Sequence, residues 1–471
     1  MLDIVFAQPV FIKKKRGVKT YRYGLPSIGL CLLAAVLRDK GYKCQVVDCE
    51  ALGATPEETA SFICSKKPRY VGITSTSSII FDAALIASFI KKEFPEVKII
   101  LGGAHLSAIP RETMEKFNDI DIGVIGEGEN TIIELIAALD DKKDLSAVKG
   151  IIFREGEGLV VTQGRELMKD LDRLPYPAHD LVYPKFPENY VPMYNNFIRL
   201  PAASIVSSRG CPGQCTFCDR TIFGNKYRFY SSKYLFDYLI SLKERFKIRD
   251  FLFYEDTFFV SKKRVSELCR LIIDNKEDFK WTCLGRTDLF DKELMALMKQ
   301  AGCWQISFGI ESGSEKVLDA INKKINLKEV ESVMRQVKKI GIRTKGLFMI
   351  GNPSETRDTI METIRFSQKI DIDEFTCSAL MPLPGSEVAK VAHLYGAYDG
   401  EWEKLNTANV VFVPFGLNKG EIEDLRSKAI TSFYLRPKII LSYIRFIIKY
   451  PIFIRNVLKG LLDFLTFLSK E

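Results

Sequence analysis

The strongest constraint on the fold of this chain is an alternation of short apolar strands with amphipathic helical stretches, repeated twice along 471 residues. In the first 140 residues, strands are expected at 3–7, 44–48, 70–74, 97–101 and 121–125, separated by helical patterns such as TPEETASFICSKK and closed by ENTIIELIAALDDKK. Strand–helix alternation of this kind implies an α/β doubly wound, flavodoxin-like parallel sheet that places ligands at the carboxyl ends of its strands. Residues 141–200 are proline-marked (LPYPAHDLVYPKFPENYVP) and read as a linker. Six further strands are expected at 203–207, 250–255, 281–285, 305–310, 344–350 and 375–381, each beside a helical pattern. They suit a partial (β/α)6 version of the eight-fold barrel, whose chemistry sits in the loops after the strands. The expected divisions are therefore a first domain at 1–140, the linker, a barrel at 201–395 and a C-terminal helical region at 396–471.

Bulk properties fit this plan. A hydrophobic fraction of 46% with 27% charged residues is ordinary for a globular protein. The opening MLDIVFAQPVFIKKKRG lacks the order of a secretory signal, and no apolar run reaches the roughly 18 residues of a spanning helix, so a cytoplasmic location is expected. The net charge of +9 is concentrated at the end: residues 426–471 hold nine basic and two acidic residues. The body is close to neutral, which argues against a nucleic-acid partner.

Eight of the eleven cysteines lie in apolar surroundings and read as small core residues. The other three are clustered in SRGCPGQCTFCDR as Cys211, Cys215 and Cys218, in the loop after the first barrel strand. A closed zinc site needs a fourth ligand, yet His105, His179 and His393 are all remote in sequence. A redox disulfide needs only a pair. An iron–sulfur cluster held by three thiolates keeps one iron open for another molecule. In the first domain, three successive strand ends are rich in small residues: TSTSS with Thr74, Ser75 and Thr76, GGAHLS with Gly102, Gly103 and His105, and GEGE with Gly126 and Glu127. Taken singly these are turns and caps; together they suggest a large polar ligand.

Cys211, Cys215, Phe217 and Cys218 resemble the cluster loop of radical S-adenosylmethionine (SAM) enzymes. FYEDTFFVSKKR, GRTDLFDKELMALMKQAGCWQISFGIESGSEKVL, GLFMIGNPSET and LMPLPGS resemble later strands of that barrel. YGLPSIGLCLLAAVLRDKGY, GGAHLSAIP and VIGEGENT are similar to the cobalamin-binding domain of one large subfamily, which includes methyltransferases and the anaerobic oxidative cyclase of bacteriochlorophyll synthesis. The tail motif FYLRPK is also similar to members of this group. The resemblance implies a [4Fe-4S] cluster on the three cysteines, whose open iron binds SAM and delivers the electron that yields a 5′-deoxyadenosyl radical. It implies an external electron donor such as flavodoxin or ferredoxin. Phe217 would then lie beside the adenine and Glu311 would reach the ribose. Glu255 or Asp256 would accept from the SAM amino group, with Glu255 departing from the family's usual aspartate. Arg286 reads either as partner of the SAM carboxylate or as half of a structural salt bridge.

The resemblance also implies cobalamin at the three loops of the first domain. The loop after the first strand, QPVFIKKKRGVKTYRYG, contains no histidine, so the usual lower axial ligand is missing from it. His105 matches the region of the nucleotide loop. The implied reaction is methylation of an activated substrate carbon; oxidative cyclisation or rearrangement with the same cofactors is the alternative. A cobalamin sensor with a degenerate barrel stands as the alternative of another class. The run 13–16 (KKKR) reads as a solvated loop. The tail KIILSYIRFIIKYPIFIRNVLKGLLDFLTFLSK allows two placements: packing on the barrel edge, or peripheral membrane contact bringing a lipid-like rather than an ordinary small-molecule substrate within reach.

Overall fold

The computed structural model describes residues 2–10, 24–192, 196–406, 409–451 and 454. The lysine-rich run at 13–16 and most of the tail beyond Pro451 lie outside the described residues. The chain divides into two compact units: 1–191 with 208–230 and 381–412, and 192–207 with 231–380 and 413–471.

The first unit is built on an eight-stranded sheet. Five strands form its parallel centre: β1 (Ile4–Gln8), β2 (Cys44–Asp48), β3 (Tyr70–Thr74), β4 (Lys98–Gly102) and β5 (Ile122–Val124). Their order, β5-β4-β3-β1-β2, is the doubly wound arrangement. The strands read as nearly unbroken apolar runs because helices cover both faces. Val5, Val47, Val71, Ile73, Ile99 and Leu101 pack with helix residues such as Ile63, Ile86 and Ile90. Helix Pro56–Ser65 starts where it does because Thr55 and Glu58 cap each other's backbone, with Pro56 in the first turn.

The stretch expected to be a linker is not irregular throughout. It contributes β6 (Ile151–Glu155) and β7 (Gly158–Val161), an antiparallel hairpin added to β5, and β8 (Val182–Tyr183), paired with β2. Gly156 turns the hairpin with a φ of +58°. The region at 396–471 likewise does not begin helical, holding short strands at Gly396–Tyr398 and Phe412–Pro414 before helices Lys419–Tyr434 and Pro437–Lys449. A further hairpin of the first unit pairs Ser208–Arg209 with Arg228–Phe229 and carries the three cysteines between its arms.

The second unit is an open sheet of six parallel strands in sequential order: β9 (Ala202–Ile205), β10 (Asp250–Phe253), β11 (Lys280–Gly285), β12 (Cys303–Glu311), β13 (Arg343–Ile350) and β14 (Glu374–Ala379). Each strand is followed by at least one helix, giving the partial barrel. Phe253, Phe258 and Trp281 cluster in its core, and Trp281 Nε1 donates to the Ala301 carbonyl at 2.9 Å, so the indole is buried without an orphan donor. Helix Lys419–Tyr434 closes against β14, where Phe433 stacks on Phe375 and the Tyr434 hydroxyl donates to the Phe375 carbonyl at 2.7 Å.

Candidate functional site

In the first unit the cysteine loop is shaped by one obligatory glycine. Gly210 has a φ of +80°, and a Cβ there would stand 2.5 Å from the Lys226 carbonyl oxygen. Only glycine allows the chain to turn this close to its returning arm. Beyond the turn, Cys215 is buried, Cys211 half-buried and Cys218 exposed. Arg220 donates to the Gly213 carbonyl at 2.9 Å, and the Thr216 carbonyl accepts from Val388 N at 2.9 Å, so the loop is pinned on two sides. None of the eleven cysteines forms a disulfide. Among the described residues, no three His, Cys, Asp or Glu side chains converge to hold a single metal ion. The core cysteines differ in kind. Burial pushes the thiols of Cys44, Cys49, Cys64 and Cys377 up to about 12, far from thiolate chemistry.

The arginine just before that turn was not singled out from sequence. Arg209 Nη1 donates to Glu127 Oε1 at 2.8 Å, and its Nη2 bonds Glu129 Oε1. Arg228, across the hairpin, donates to the same Glu127 oxygen at 2.8 Å, while Met168 N donates to Oε2 at 2.8 Å. All four charged side chains are at least nine-tenths buried. Burial alone would raise the Glu127 carboxyl; Arg209, the Met168 amide and Arg228 outweigh it and hold the pKa below the ordinary value. Glu127 thus fastens the hairpin that carries the cysteines. The signal available in sequence was a pair of acids in GEGEN and two arginines bracketing the cysteines.

Beside this knot a cleft of about 160 Å³ opens at the carboxyl ends of β3, β4 and β5. Thr74, Gly102, Gly103, Gly126 and Glu127 line it, together with Phe223 from the cysteine hairpin. No atom lies within 4 Å of where a Gly126 Cβ would stand, and the nearest to Gly102 is 3.9 Å away, so both leave open space for a ligand. Gly103 is needed for another reason: with φ at +103°, a Cβ would meet the Ser75 carbonyl oxygen at 2.3 Å. The slot is largely apolar, as cofactor sites commonly are.

Three of the expected ligand residues stand apart from its wall. The Ser75 hydroxyl is spent on the Gly102 carbonyl at 3.0 Å, and Thr76 is exposed. His105 is buried with Nδ1 3.0 Å from the Ser77 hydroxyl and its ring edge-on to Trp402. Burial, reinforced by Lys116, lowers its pKa to about 4, so the imidazole is neutral.

In the second unit the two candidate acids after β10 separate. Glu255 turns inward: its carboxylate accepts from Ser207 N at 2.7 Å and from the Ser207 hydroxyl at 2.8 Å, with Arg264 3.7 Å away. Arg264 also donates to the carbonyls of Ser207 and Phe258, both at 2.8 Å. Asp256 remains exposed, with its pKa raised by local desolvation. Arg286 forms a two-pronged pair with Asp288, at 3.0 Å for both contacts. Glu311 ends β12 with a φ of +67°, rare for a residue with a side chain, and accepts from Lys323 at 3.1 Å. Gly309 makes room for that pair, since a Cβ there would lie 2.5 Å from Glu311 Oε1. Backbone strain of this sort concentrates at functional sites. Phe217 is half-buried in the cysteine loop of the first unit.

Comparison with known proteins agrees with this anatomy. The model of the Radical SAM superfamily matches residues 205–367, and that of the B12 binding domain matches 15–136. An uncharacterized methyltransferase of Pyrococcus horikoshii is 31% identical over 440 residues, 93% of each chain. The anaerobic magnesium-protoporphyrin IX monomethyl ester cyclase of Rubrivivax gelatinosus is 26% identical across 85% of this chain and 72% of its own. Among solved structures, the radical SAM methyltransferase TsrM of Kitasatospora setae, with cobalamin and a [4Fe-4S] cluster bound, superposes with a TM-score of 0.72 at 18% identity, covering 93% of this chain and 90% of that one. With the sheet order, the cysteine loop and full-length similarity in agreement, the chain belongs to the family of cobalamin-dependent radical SAM enzymes.

Proposed function

We propose that this protein is a C-methyltransferase that uses a [4Fe-4S] cluster, SAM and cobalamin. The observation that carries the reading is one chain holding both a three-cysteine loop and a glycine-walled slot, similar over 93% of its length to a relative named a methyltransferase. When bound, the cluster with SAM supplies a carbon-centred radical and cobalamin supplies a transferable methyl group. The residues present fit those groups. Cys211, Cys215 and Cys218 would hold the cluster, on a loop fixed by Gly210 and by the bond from Arg220 to Gly213. Asp256, the exposed acid of its pair, would accept from the SAM amino group; Glu255 supports it from behind by tying β9 to β10 through Ser207. Glu311, held by Lys323, would orient the ribose, and Phe217 would flank the adenine. The slot between Gly102 and Gly126 would take the flat nucleotide base of cobalamin. His105, buried against Ser77 and Trp402, would act from behind the slot. Electrons would come from an external flavodoxin- or ferredoxin-type donor, and the substrate is a small or lipid-like molecule.

The second reading, oxidative cyclisation, is favoured by the cyclase relative covering 85% of the chain. Product analysis separates the two. With methyl-labelled SAM and extracts of the producing cell as substrate source, methyl transfer yields S-adenosylhomocysteine beside 5′-deoxyadenosine and moves label into a product. Deoxyadenosine without S-adenosylhomocysteine would assign cyclisation or rearrangement instead.

A further inference from the structure

Helix Pro437–Lys449 is seated on the second unit by only part of its surface. Phe446 packs with Ile198 and Trp304, and the Arg343 guanidinium lies 4.1 Å from its ring centroid. The opposite face is apolar and open, with Ile440, Leu441, Ile444 and Ile448 exposed by 45%, 47%, 48% and 74%. Residues 440, 444 and 448 form one row by their spacing of four. Beside that row, the helix and the strand starts near Arg343 enclose a cleft of about 410 Å³. Its wall carries six basic side chains, Lys299, Lys338, Arg343, Lys438, Arg445 and Lys449, against one acid, Asp373.

The acids nearby do not neutralise this cleft. Asp371 takes Lys338 at 2.7 Å and Lys438 at 2.8 Å, and Asp373 lies 3.5 Å from Lys338. Among the described residues, no acid pairs with Lys299, Arg343, Arg445 or Lys449. The buried donors Arg343 Nε and Nη2 and Trp304 Nε1 also have no hydrogen-bond partner there. Unpaired buried donors under uncompensated cations call for an anion rich in acceptor oxygens. An apolar row flanked by such cations matches the chemistry of a phospholipid: acyl chains beside a phosphate. A second copy of this helix would set cations against cations. The chain beyond Tyr450 repeats the same sign, with no acidic residue between Asp424 and Asp463. No described helix is long and apolar enough to cross a membrane, which leaves an orientation parallel to the surface.

We propose that helix Pro437–Lys449 docks the protein onto anionic phospholipid bilayers, with Ile440, Ile444 and Ile448 among acyl chains and the basic cleft on a headgroup phosphate. The proposal is independent of the catalytic reading and is tested on the full chain without cofactors. In co-sedimentation, the protein should bind vesicles containing one third phosphatidylglycerol, bind pure phosphatidylcholine at least tenfold more weakly, and be released by salt. The paired changes Ile444→Asn with Ile448→Asn, and Arg445→Glu with Lys449→Glu, should each weaken binding at least tenfold while leaving circular dichroism and Tm unchanged, because these side chains are exposed. A chain ending at Tyr450 should still bind. No binding at low salt, undiminished binding by both paired variants, or loss of binding on removal of residues 451–471 would each overturn the proposal. So would saturable binding of inorganic phosphate without vesicle binding, or a dimer dispersed by the isoleucine changes.

Discussion

Arg209 does its work one residue before the cysteine loop begins to turn. It neutralises Glu127 and Glu129 where both are buried, so its loss leaves Glu127 to Arg228 and the Met168 amide and takes from Glu129 its Arg209 partner. Breaking a buried pair of this kind typically costs about 3–5 kcal/mol. Arg209→Ala should lower the midpoint of urea unfolding accordingly. It should also reduce iron retained after anaerobic reconstitution, although Cys211, Cys215 and Cys218 are untouched. Unchanged iron content would show that the knot serves stability alone. The cysteines were legible in sequence because their spacing is local and their chemistry specific. That Glu255 turns inward while Asp256 stays exposed was not, because Glu255 is held by Ser207 and Arg264, which lie 48 residues before it and nine after it. Arg209 was hidden for the same reason: its partners stand 80 and 82 residues away.

At the level of elements, the parallel strands announced themselves by continuous apolar runs, and the expected positions agree with the observed strands to within a few residues. The hairpin β6–β7 was masked by the prolines downstream of it, which drew the whole segment into a linker, and by weak burial of β7. The turn after β13 shows how an element end can carry an electrostatic load. Glu355 is fully buried and accepts from Asn352 N at 2.8 Å. Burial outweighs that bond and its neighbours and raises the carboxyl from 4.5 to about 8. The folded state therefore binds this proton more tightly than the unfolded chain. The stabilisation is complete below about pH 4.5 and is lost as pH rises through about 8, at up to about 1.4 kcal/mol per pH unit. Glu355→Gln mimics the protonated form, so its stability relative to the natural protein should climb between pH 5 and 8. A difference that does not change over that window, measured by denaturant unfolding of the apoprotein, would mean that the carboxyl is ionised when folded.

For the whole molecule, the decisive fact is that neither unit is a continuous piece of chain. The first sheet finds its outer partners in β6 and β8, its acids find Arg209 and Arg228, and His105 finds Trp402. A fragment ending at residue 140, the boundary suggested by sequence, would expose both flanks of the parallel sheet and strand Glu127 and Glu129 without counter-ions. Exposed sheet edges of this kind pair indiscriminately. Such a fragment should aggregate on expression, whereas the full chain should elute as a discrete species in size-exclusion chromatography. A soluble, cooperatively unfolding 1–140 fragment would refute this account. Sequence patterns report elements in order, whereas closure of this unit depends on segments that return much later.

That return also sets a timetable. The last segment of the first unit, 381–412, leaves the ribosome roughly 220 residues after its opening portion ends at 191. At ordinary rates of synthesis the delay is on the order of 10–40 s. Throughout it, the nascent first sheet waits with its His105 corner uncovered by Trp402 while the second unit is still being made. Chaperone occupancy on ribosome-bound chains should therefore persist until residue 412 has emerged.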